Sequence, residues 1–288
     1  MIVKAYAKIN IALNVLARRP DGYHDLDMIM APLDLHDSIE INLMPPSYLT
    51  TVTCDDFDLA ADEYNLCSTA VTKMREFYKF KEHFRIHIHK RIPMSAGLGG
   101  GSSDAAATVR GIISLLKLKV VEQDIIKVCR SIGSDVPFFY KQIPARVRGT
   151  GEMLTPIKIA KPYYVLLIKP SAGLKTKKVF ETYDQTTHET KDIDPVIRSL
   201  ELGDSELLAQ TMFNLLEDTS MQLCPEIAAI KQSLHEDGLS LVMMTGSGST
   251  VFALSEQLHK LEKVTKKYVK LGHKVLLTQF RIKERNEP

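Results

Sequence analysis

The first part of the chain alternates hydrophobic and polar residues in the period of a β-strand. Residues 2–16 alternate loosely and residues 33–44 resume the pattern, which predicts two strands whose successive side chains point to opposite faces. Between them, the sequence RRPDG at residues 18–22 brings proline, aspartate and glycine together, as is typical of a tight turn. We therefore expect the chain to open with a β-rich layer.

The next part, up to about residue 155, mixes strand and helix periods. We predict, in order, a strand at 48–54, a helix from about Glu63 to Tyr78, a strand at 84–89, a helix that begins at Ser102 or Ser103, a helix at 122–132 and a turn at 134–137. The turn is expected because a proline, Pro137, disfavours helix in the residue before it. The helix after the glycines has an apolar face formed by Ala105, Val109, Ile112, Ile113 and Leu116.

Beyond Pro156 the pattern changes to one with fewer strands and more helices. It predicts an apolar strand at 163–168, three helical stretches between about 175 and 236, two apolar strands joined by TGSGS, a helix at about 256–271 and a last strand, KVLLTQF. This order indicates an α+β fold with two domains, residues 1–155 and 156–288. The chain shows no internal repeat and no low-complexity tract.

Composition narrows the class of protein. With 44% hydrophobic and 25% charged residues, the 288-residue chain has an ordinary globular composition. Its formal net charge of +2 argues against a nucleic-acid binder, which usually carries a strongly basic face. No apolar segment has the length of a membrane span or the pattern of a signal peptide, so we expect a cytoplasmic protein without a membrane partner. Four widely spaced cysteines, Cys54, Cys67, Cys129 and Cys224, are expected to be reduced core residues.

Residues 93–107, PMSAGLGGGSSDAAA, form the most informative segment. Glycines allow close approach of the backbone to a ligand and the positive φ angles that turn successive N–H groups toward one anion, and the N-terminus of the following helix adds further N–H groups. The segment lacks the lysine of a Walker A loop and fits a dinucleotide-binding loop poorly. A flexible linker is the remaining alternative, but linkers do not usually begin an amphipathic helix. We interpret the segment as a phosphate-binding loop.

Four other segments combine reactive residues with strand or turn positions. In AKINIALNV, Lys8 and Asn10 are two positions apart and share one face of a strand, which is either the wet face of an edge strand or part of a site. PDGYHD places Tyr23 and His24 directly after a turn, where loop residues often meet ligands. The segment is either a ligand-binding loop or only a turn with a packed tyrosine.

The other two segments carry an acid and a pair of glycines. Asp135 lies in GSDVPFF, where it either caps or turns the chain, or faces a cavity with a partner such as Lys8 that keeps it ionised. TGSGST at residues 245–250 is either a plain hairpin turn or a second phosphate contact. Asp104, just inside the helix after the glycine loop, would repel a phosphate unless it caps the helix or lies near a metal.

Together, PMSAGLGGGSSDAAA, TGSGSTVFA, GSDVPFF and AKINIALNV with PDGYH resemble the motifs of the GHMP kinases, named for galactokinase, homoserine kinase, mevalonate kinase and phosphomevalonate kinase. The motifs occur in the family's order from residue 5 to residue 253. The resemblance implies an α+β fold with a ribosomal-protein-S5-like N-terminal domain and a ferredoxin-like C-terminal domain. It also implies ATP and Mg²⁺ as cofactors.

Residue by residue, the resemblance implies Lys8 and Asp135 as the catalytic pair. The implied ATP-binding residues are Pro93, Met94, Ser95, Ala96, Gly97, Leu98, Gly99, Gly100, Gly101, Ser102 and Ser103. The implied substrate-binding residues are Asn10, Tyr23, His24, Phe180, Gly246, Ser247 and Gly248, with Tyr183 as a rival to Phe180 for stacking on a base. No metal ligand of the protein is implied, so Mg²⁺ is expected on the ATP phosphates, with Ser102 or Ser103 nearby.

The implied reaction is ATP-dependent phosphorylation of the 2-hydroxyl of 4-diphosphocytidyl-2-C-methyl-D-erythritol, in the non-mevalonate route to isoprenoid precursors. This small molecule is the expected partner, with no nucleic acid or membrane, and the chain is expected to be a monomer or a weak homodimer. One alternative is another small-alcohol kinase of the mevalonate or homoserine type. The other is a silent ATP-binding regulator on the same fold.

Overall fold

The computed structural model describes residues 1–55 and 65–281. The chain forms two compact units, each assembled from several segments. The first unit contains Met1–Ala7, Leu35–Ile92 and Gly99–Gln142, and the second contains Lys8–Asp34, Pro93–Leu98 and Ile143–Pro288. Two long strands and the glycine-rich loop therefore each contribute to both units, while the predicted domain boundary near residue 155 stays a prediction.

The strands of the first unit bury a stripe of isoleucines. The first four strands of the chain are β1 (Ile2–Arg18), β2 (His24–Met44), β3 (Thr51–Cys54) and β4 (His83–His89). The second half of β2 pairs antiparallel with β4, which pairs parallel with β3. In this register Ile39 lies opposite Ile88 and Ile41 opposite Ile86, all buried, while the residues between them point to the other face.

The helices of the first unit pack around a central, alanine-rich helix. They are α1 (Leu66–Tyr78), α2 (Gly100–Leu116), α3 (Glu122–Ile132) and α4 (Val136–Lys141). Helix α2 contacts both α1 and α4. Its Ala105, Val109 and Ile112 are buried as predicted, whereas Ile113 and Leu116 are half-buried.

Several sequence-based boundaries in this half of the chain need correction. Helix α2 begins at Gly100 rather than at Ser102 or Ser103, because the last glycines adopt helical geometry themselves. The predicted turn at 134–137 covers only Ser134 and Asp135, because α4 already begins at Val136; Pro137 lies in its first turn, where its missing N–H costs nothing. Strand β2 begins at His24 instead of residue 33. The predicted helix start at Glu63 lies outside the described residues.

The second unit contains a four-stranded antiparallel sheet and a separate hairpin that pairs with β2. The remaining strands are β5 (Ala145–Gly149), β6 (Met153–Pro156), β7 (Tyr164–Lys169), β8 (Phe213–Asn214), β9 (Val242–Met244), β10 (Val251–Ser255) and β11 (Lys274–Gln279). The sheet has the order β11-β7-β10-β9. The β5-β6 hairpin, which the sequence analysis missed, pairs with the first half of β2, and β8 pairs parallel with β1.

The helices of the second unit are shorter and more numerous than predicted. They are α5 (Thr176–Tyr183), α6 (Asp194–Leu202), α7 (Ser205–Thr211), α8 (Glu217–Leu223), α9 (Glu226–Glu236) and α10 (Leu258–Lys270). Segment 175–236 thus holds α5 to α9 rather than three helices, because Gly203 and Pro225 divide longer helical patterns.

Two expectations drawn from composition can be compared with the structure. The cysteines are free thiols, and Cys67, Cys129 and Cys224 are buried as predicted, whereas Cys54 is half-buried. Across residues 1–55 and 65–281, no helix combines the length and the hydrophobicity that a membrane crossing requires.

Candidate active site

Lys8 is the central residue of the part of the site that lies in the second unit. Its ammonium donates to Asn10 Oδ1 at 2.6 Å and to the backbone oxygen of Gly97 at 2.7 Å. The prediction that Lys8 and Asn10 share one face of a strand is therefore confirmed. The alternative of a wet edge strand is wrong, because β1 lies between β2 and β8 and the two residues are only 4% and 1% exposed.

The first half of the glycine loop, Pro93–Leu98, packs against the Thr245–Thr250 segment. Gly97 has a φ of +72°, and a Cβ there would lie 2.3 Å from the backbone oxygen of Thr245. A Cβ on Gly246 would lie 3.2 Å from Gly97 O and 3.3 Å from Lys8 Nζ. These two glycines are needed so that the two loops can approach each other at Lys8, a reason for glycine that does not involve a ligand.

The Thr245–Thr250 segment is a buried hairpin loop with many hydrogen bonds. It joins antiparallel β9 and β10, where Met244 lies opposite Val251, so the segment is a hairpin loop, while its contact with phosphate stays a prediction. Thr245 Oγ1 accepts from the backbone N–H of Asn10 at 3.0 Å. The hydroxyls of Ser247 and Thr176 lie 2.9 Å apart, and all six residues of the segment are buried. The loop is thus rigidly attached to the strand that carries Lys8.

Two polar residues that the sequence analysis missed support this hairpin. The side-chain amide of Asn214 donates to the backbone oxygens of Met244 at 2.9 Å and Gly246 at 2.8 Å. Glu217 Oε1 accepts from the Met244 N–H at 2.7 Å. Their only signal in the sequence is a polar residue on each side of two leucines, in FNLLE. They position the glycines without any reactive group that a motif search would notice.

The second half of the loop, Gly99–Ser103, forms the start of α2 in the first unit. Gly99 has a φ of +72° and occupies the N-cap position, so the N–H groups of Gly100, Gly101 and Ser102 have no acceptor within the helix. Ser103 differs: its N–H is bonded to Gly99 O at 3.0 Å, and its buried hydroxyl donates to Tyr6 O at 2.7 Å. Ser102 is the serine whose side chain stays half-exposed.

A buried ion cluster of Asp37, Lys90 and Asp104 lies in the same unit and was not predicted. Lys90 Nζ donates to Asp37 Oδ2 at 2.6 Å and to Asp104 Oδ2 at 2.9 Å. Asp37 Oδ1 also accepts from the N–H groups of Arg91 at 2.5 Å and Ile92 at 2.8 Å. The ion pair with Lys90 is a role for Asp104 that the sequence analysis did not consider. Its carboxylate pairs with a lysine that follows β4.

Burial controls the protonation of this cluster. Burial raises the pKa of Asp104 to about 8, and the nearby Asp37 charge adds to the rise while Lys90 opposes it. Burial lowers the pKa of Lys90, but the two carboxylates outweigh it and leave the pKa above its ordinary value. Asp104 therefore keeps a proton to a higher pH than an exposed aspartate, which lessens the repulsion between the two acids that share one ammonium.

The turn after β1 brings His24, one of the predicted substrate residues, to the ring of Phe180 in α5. The His24 ring stacks on Phe180 with centroids 4.9 Å apart and an interplanar angle of 21°, and its Nε2 lies 2.7 Å from Asp184 Oδ1. Tyr23 is 63% exposed. Tyr183, the rival to Phe180, is buried and already stacks on His188 at 3.7 Å. The half-buried Phe180 therefore has the more accessible ring of the two.

Asp135 immediately precedes α4 in the first unit. It occupies the N-cap position, but its side chain makes no capping hydrogen bond, so the alternative that it caps the helix is wrong. The residue is half-buried, and Val136, Phe138 and Phe139 after it are fully buried. The helix fixes the backbone that carries the carboxylate, while its pairing with Lys8 stays a prediction.

Comparison with known proteins places this architecture in one family. Residues 65–142 match the sequence model of the GHMP kinases N-terminal domain, and residues 196–274 match that of the GHMP kinases C-terminal domain. A solved homoserine kinase from Cytophaga hutchinsonii superposes with a TM-score of 0.74 over 98% of this chain and 95% of its own, at 17% identity, which is a likeness of fold. The fold and the matched domains define a GHMP kinase, an ATP-dependent phosphotransferase.

More similar relatives narrow the family further. The chain is 37% identical over 262 residues, 91% of its length and 90% of the relative's, to the 4-diphosphocytidyl-2-C-methyl-D-erythritol kinase of Geobacillus thermodenitrificans. It is 36% identical to the Lachnoclostridium phytofermentans protein of that name over 96% of each chain. A crystal structure of 4-(cytidine 5'-diphospho)-2C-methyl-D-erythritol kinase superposes with a TM-score of 0.81 at 28% identity, covering 98% of this chain and 100% of that one. The chain belongs to this family of kinases.

Proposed function

We propose that this protein transfers the γ-phosphoryl group of ATP to the 2-hydroxyl of 4-diphosphocytidyl-2-C-methyl-D-erythritol. The observation that carries the proposal is the buried Lys8, whose ammonium is 2.7 Å from Gly97 O and next to Gly246. An ammonium held where two glycine segments meet is suited to a phosphoryl group in transfer. The names of the relatives supply the acceptor.

In this proposal Lys8 and Asp135 act on the acceptor alcohol. The bond between the 2-oxygen and the γ-phosphorus forms as the bond from that phosphorus to the β–γ bridging oxygen breaks, and ADP leaves. Asp135 takes or orients the hydroxyl proton, while Lys8 stabilises the charge on the attacking oxygen and the transferring group. A loose transition state needs mainly positioning and charge neutralisation, which the rigid surroundings of Lys8 favour.

The glycine loop is proposed to hold the triphosphate. Residues Pro93 to Ser103 would contribute chiefly backbone N–H groups, and those of Gly100, Gly101 and Ser102 have no acceptor within α2 by helical geometry. Mg²⁺, which neutralises phosphate charge in such reactions, would be bound mainly by ATP. The half-exposed hydroxyl of Ser102 suits it better than that of Ser103, which already donates to Tyr6 O.

The cytidine end of the substrate is proposed to bind near Asn10, Tyr23, His24 and Phe180, with the Gly246–Gly248 backbone toward a phosphate. The exposed Tyr23 ring and the half-buried Phe180 ring offer faces for a base, and stacking on such rings is worth roughly 1–3 kcal/mol per base. The hydrogen bond between His24 Nε2 and Asp184 Oδ1 holds the imidazole in place.

The decisive experiment measures ADP release by the purified protein with four acceptors in parallel: the cytidyl substrate, mevalonate, homoserine and galactose. We expect release with the cytidyl substrate alone. Release only with one of the other three would replace the proposal by a small-alcohol kinase, and no release with any would favour a silent ATP-binding regulator.

The Asp135→Asn variant tests the mechanism in the same assay. We expect kcat to fall on the order of 10²-fold or more with the KM for ATP nearly unchanged, as when a general base is lost. The variant keeps the size of the side chain, so its folding should match that of the parent. Full turnover by this variant would remove Asp135 from the reaction.

A further inference from the structure

Three potential metal ligands meet on the face of β4 that carries its histidines, in the first unit. His87 and His89 are two positions apart on β4 and therefore point to the same side. Asp55 directly follows β3, whose Cys54 lies opposite Ile88 in the parallel ladder. One ligand atom from each of Asp55, His87 and His89 lies within 4.8 Å of the others.

Hydrogen bonds hold two of the three side chains in place. Thr53 Oγ1 lies 2.8 Å from His87 Nδ1, a contact that fixes the orientation of the ring. Asp55 Oδ1 accepts from the Lys90 N–H at 2.9 Å. Histidine and carboxylate ligands of metals are held by such outer hydrogen bonds in known sites.

Acidic side chains lie on both sides of the histidines. Asp55 Oδ2 is 3.4 Å from His89 Nδ1, and Glu40 lies opposite His87 in the β2-β4 ladder. Arg85 is two positions before His87 on β4 and shares its face. The two acids among these described neighbours favour an incoming cation.

We propose that Asp55, His87 and His89 form a binding site for a divalent transition-metal ion, with Zn²⁺ as the preferred ion. Two imidazole nitrogens and one carboxylate oxygen suit Zn²⁺, whereas Mg²⁺ and Ca²⁺ prefer all-oxygen sites. Side chains of Asp55 and His89 are 47% and 46% exposed, so they can rotate by the small amount that closes the cluster. Water would complete a tetrahedral shell.

The position of the site gives it a structural consequence. Strand β3 is four residues long and pairs with β4 at one end of the strand order. A metal held by Asp55 and by both histidines of β4 would attach the end of this short strand to its neighbour. Bound Zn²⁺ should therefore stabilise the folded chain and raise its Tm as the free Zn²⁺ concentration exceeds the Kd.

The test is a titration of the tag-free, metal-free protein with Zn²⁺ in competition with a chromophoric chelator. We expect one ion per chain, a higher Tm with Zn²⁺, and visible absorption bands of tetrahedral Co²⁺ when Co²⁺ replaces it. His89→Ala should weaken binding about 100-fold, and Thr53→Val, which removes the outer hydrogen bond to His87 but no ligand, about 10-fold.

The matched control is His259→Ala, which removes an exposed histidine on α10 in the second unit and should leave the affinity unchanged. Circular dichroism of each variant confirms that it folds. The proposal is overturned if the parent binds no ion, if His89→Ala binds as tightly as the parent, or if His259→Ala weakens binding equally. None of these outcomes depends on kinase activity, so the site is tested separately from the proposed function.

Discussion

The two halves of the glycine loop contain similar residues but are held in different ways. In the first half, Gly97 gives its backbone oxygen to the Lys8 ammonium and packs its Cα against Thr245 O. In the second half, Gly100 begins α2, and a Cβ on it would lie 3.2 Å from the ammonium of Lys90. Each half thus has a buried lysine next to a glycine, within its own unit.

The two lysines have different surroundings. The contacts of Lys8 include the oxygens of Asn10 and Gly97, and its neighbours are the segments that we propose to meet phosphate. Lys90 donates to two buried carboxylates, Asp37 and Asp104. A lysine between two buried acids is mainly a folding requirement, because its loss leaves charge without compensation. One glycine-rich motif can thus contain a first half next to the proposed reaction site and a second half that mainly supports the fold.

The largest expected effect is the loss of stability in Lys90→Met. The change leaves Asp37 and Asp104 buried without their shared cation, so the free energy of unfolding should fall by about 3–5 kcal/mol. Chemical denaturation followed by circular dichroism measures the change. Lys8→Met is the matched control: it should lose less stability than Lys90→Met, while kcat falls on the order of 10²-fold.

Two outcomes would contradict this division of roles. If Lys8→Met were destabilised as much as Lys90→Met, both lysines would be required for folding. If Lys90→Met folded with parental stability, the Asp37–Lys90–Asp104 cluster would not support the helix start. The double variant Lys90→Met with Asp104→Asn should regain part of the lost stability, because it replaces one of the two buried acids by a neutral amide.

The next largest effect is expected from Gly97→Ala in the first half of the loop. The new methyl group would lie 2.3 Å from Thr245 O at a φ of +72°, so either the hairpin or the loop must move. We expect a loss of about 3 kcal/mol in the free energy of unfolding, the sum of a left-handed backbone cost and of overpacking. Unchanged stability would show that Gly97 and the Thr245–Thr250 segment are not in close contact.

The features that could be predicted from the sequence are those that depend on residues close together in the chain. The shared face of Lys8 and Asn10 was predictable because a period of two is local to the strand. The strand-turn-strand order around TGSGST was predictable for the same reason. The need for glycine at 97 was not, because it arises from Thr245, a residue far away in the chain.

The Asp37–Lys90–Asp104 cluster shows the same limit more clearly. Each of the three residues looks like an ordinary charged residue near a strand or helix end, and charge patterns on a sequence usually indicate solvated surfaces. Only the packing of β2, β4 and α2 makes them neighbours. Conversely, the start of α2 was placed late because glycine has a low helix propensity, which tertiary packing overrides here.

A third prediction concerns the pH dependence of stability through Asp104. Its pKa rises from an ordinary 3.8 to about 8 in the folded protein, so between those pH values the folded state binds more protons than the unfolded state. Stability should therefore fall as pH rises through this window. Asp104→Asn lacks the titrating group and should lack the fall, so its stability relative to the parent should increase by about 2 kcal/mol between pH 6 and pH 8.

The measurement is denaturation of both proteins at several pH values from 5 to 9. Lys90 does not disturb this window, because a lysine with a raised pKa contributes stability that is lost only at higher pH. Parallel stability curves for parent and Asp104→Asn would show that Asp104 does not hold a proton in the folded cluster.

The smallest expected effect is a gain in stability from Gly101→Ala, in the second half of the loop. Gly101 lies in the first turn of α2, and a Cβ there would meet only Leu66 Cδ1 at an ordinary 3.7 Å. Alanine should therefore stabilise the helix by about 0.5–1 kcal/mol, opposite in sign to Gly97→Ala. The variant keeps its backbone N–H, so the KM for ATP should change little if backbone groups bind the phosphates. A rise of tenfold or more in that KM, in a protein as stable as the parent, would mean that ATP needs the space next to Gly101. The second half of the loop would then take part in ligand binding as well as in the fold.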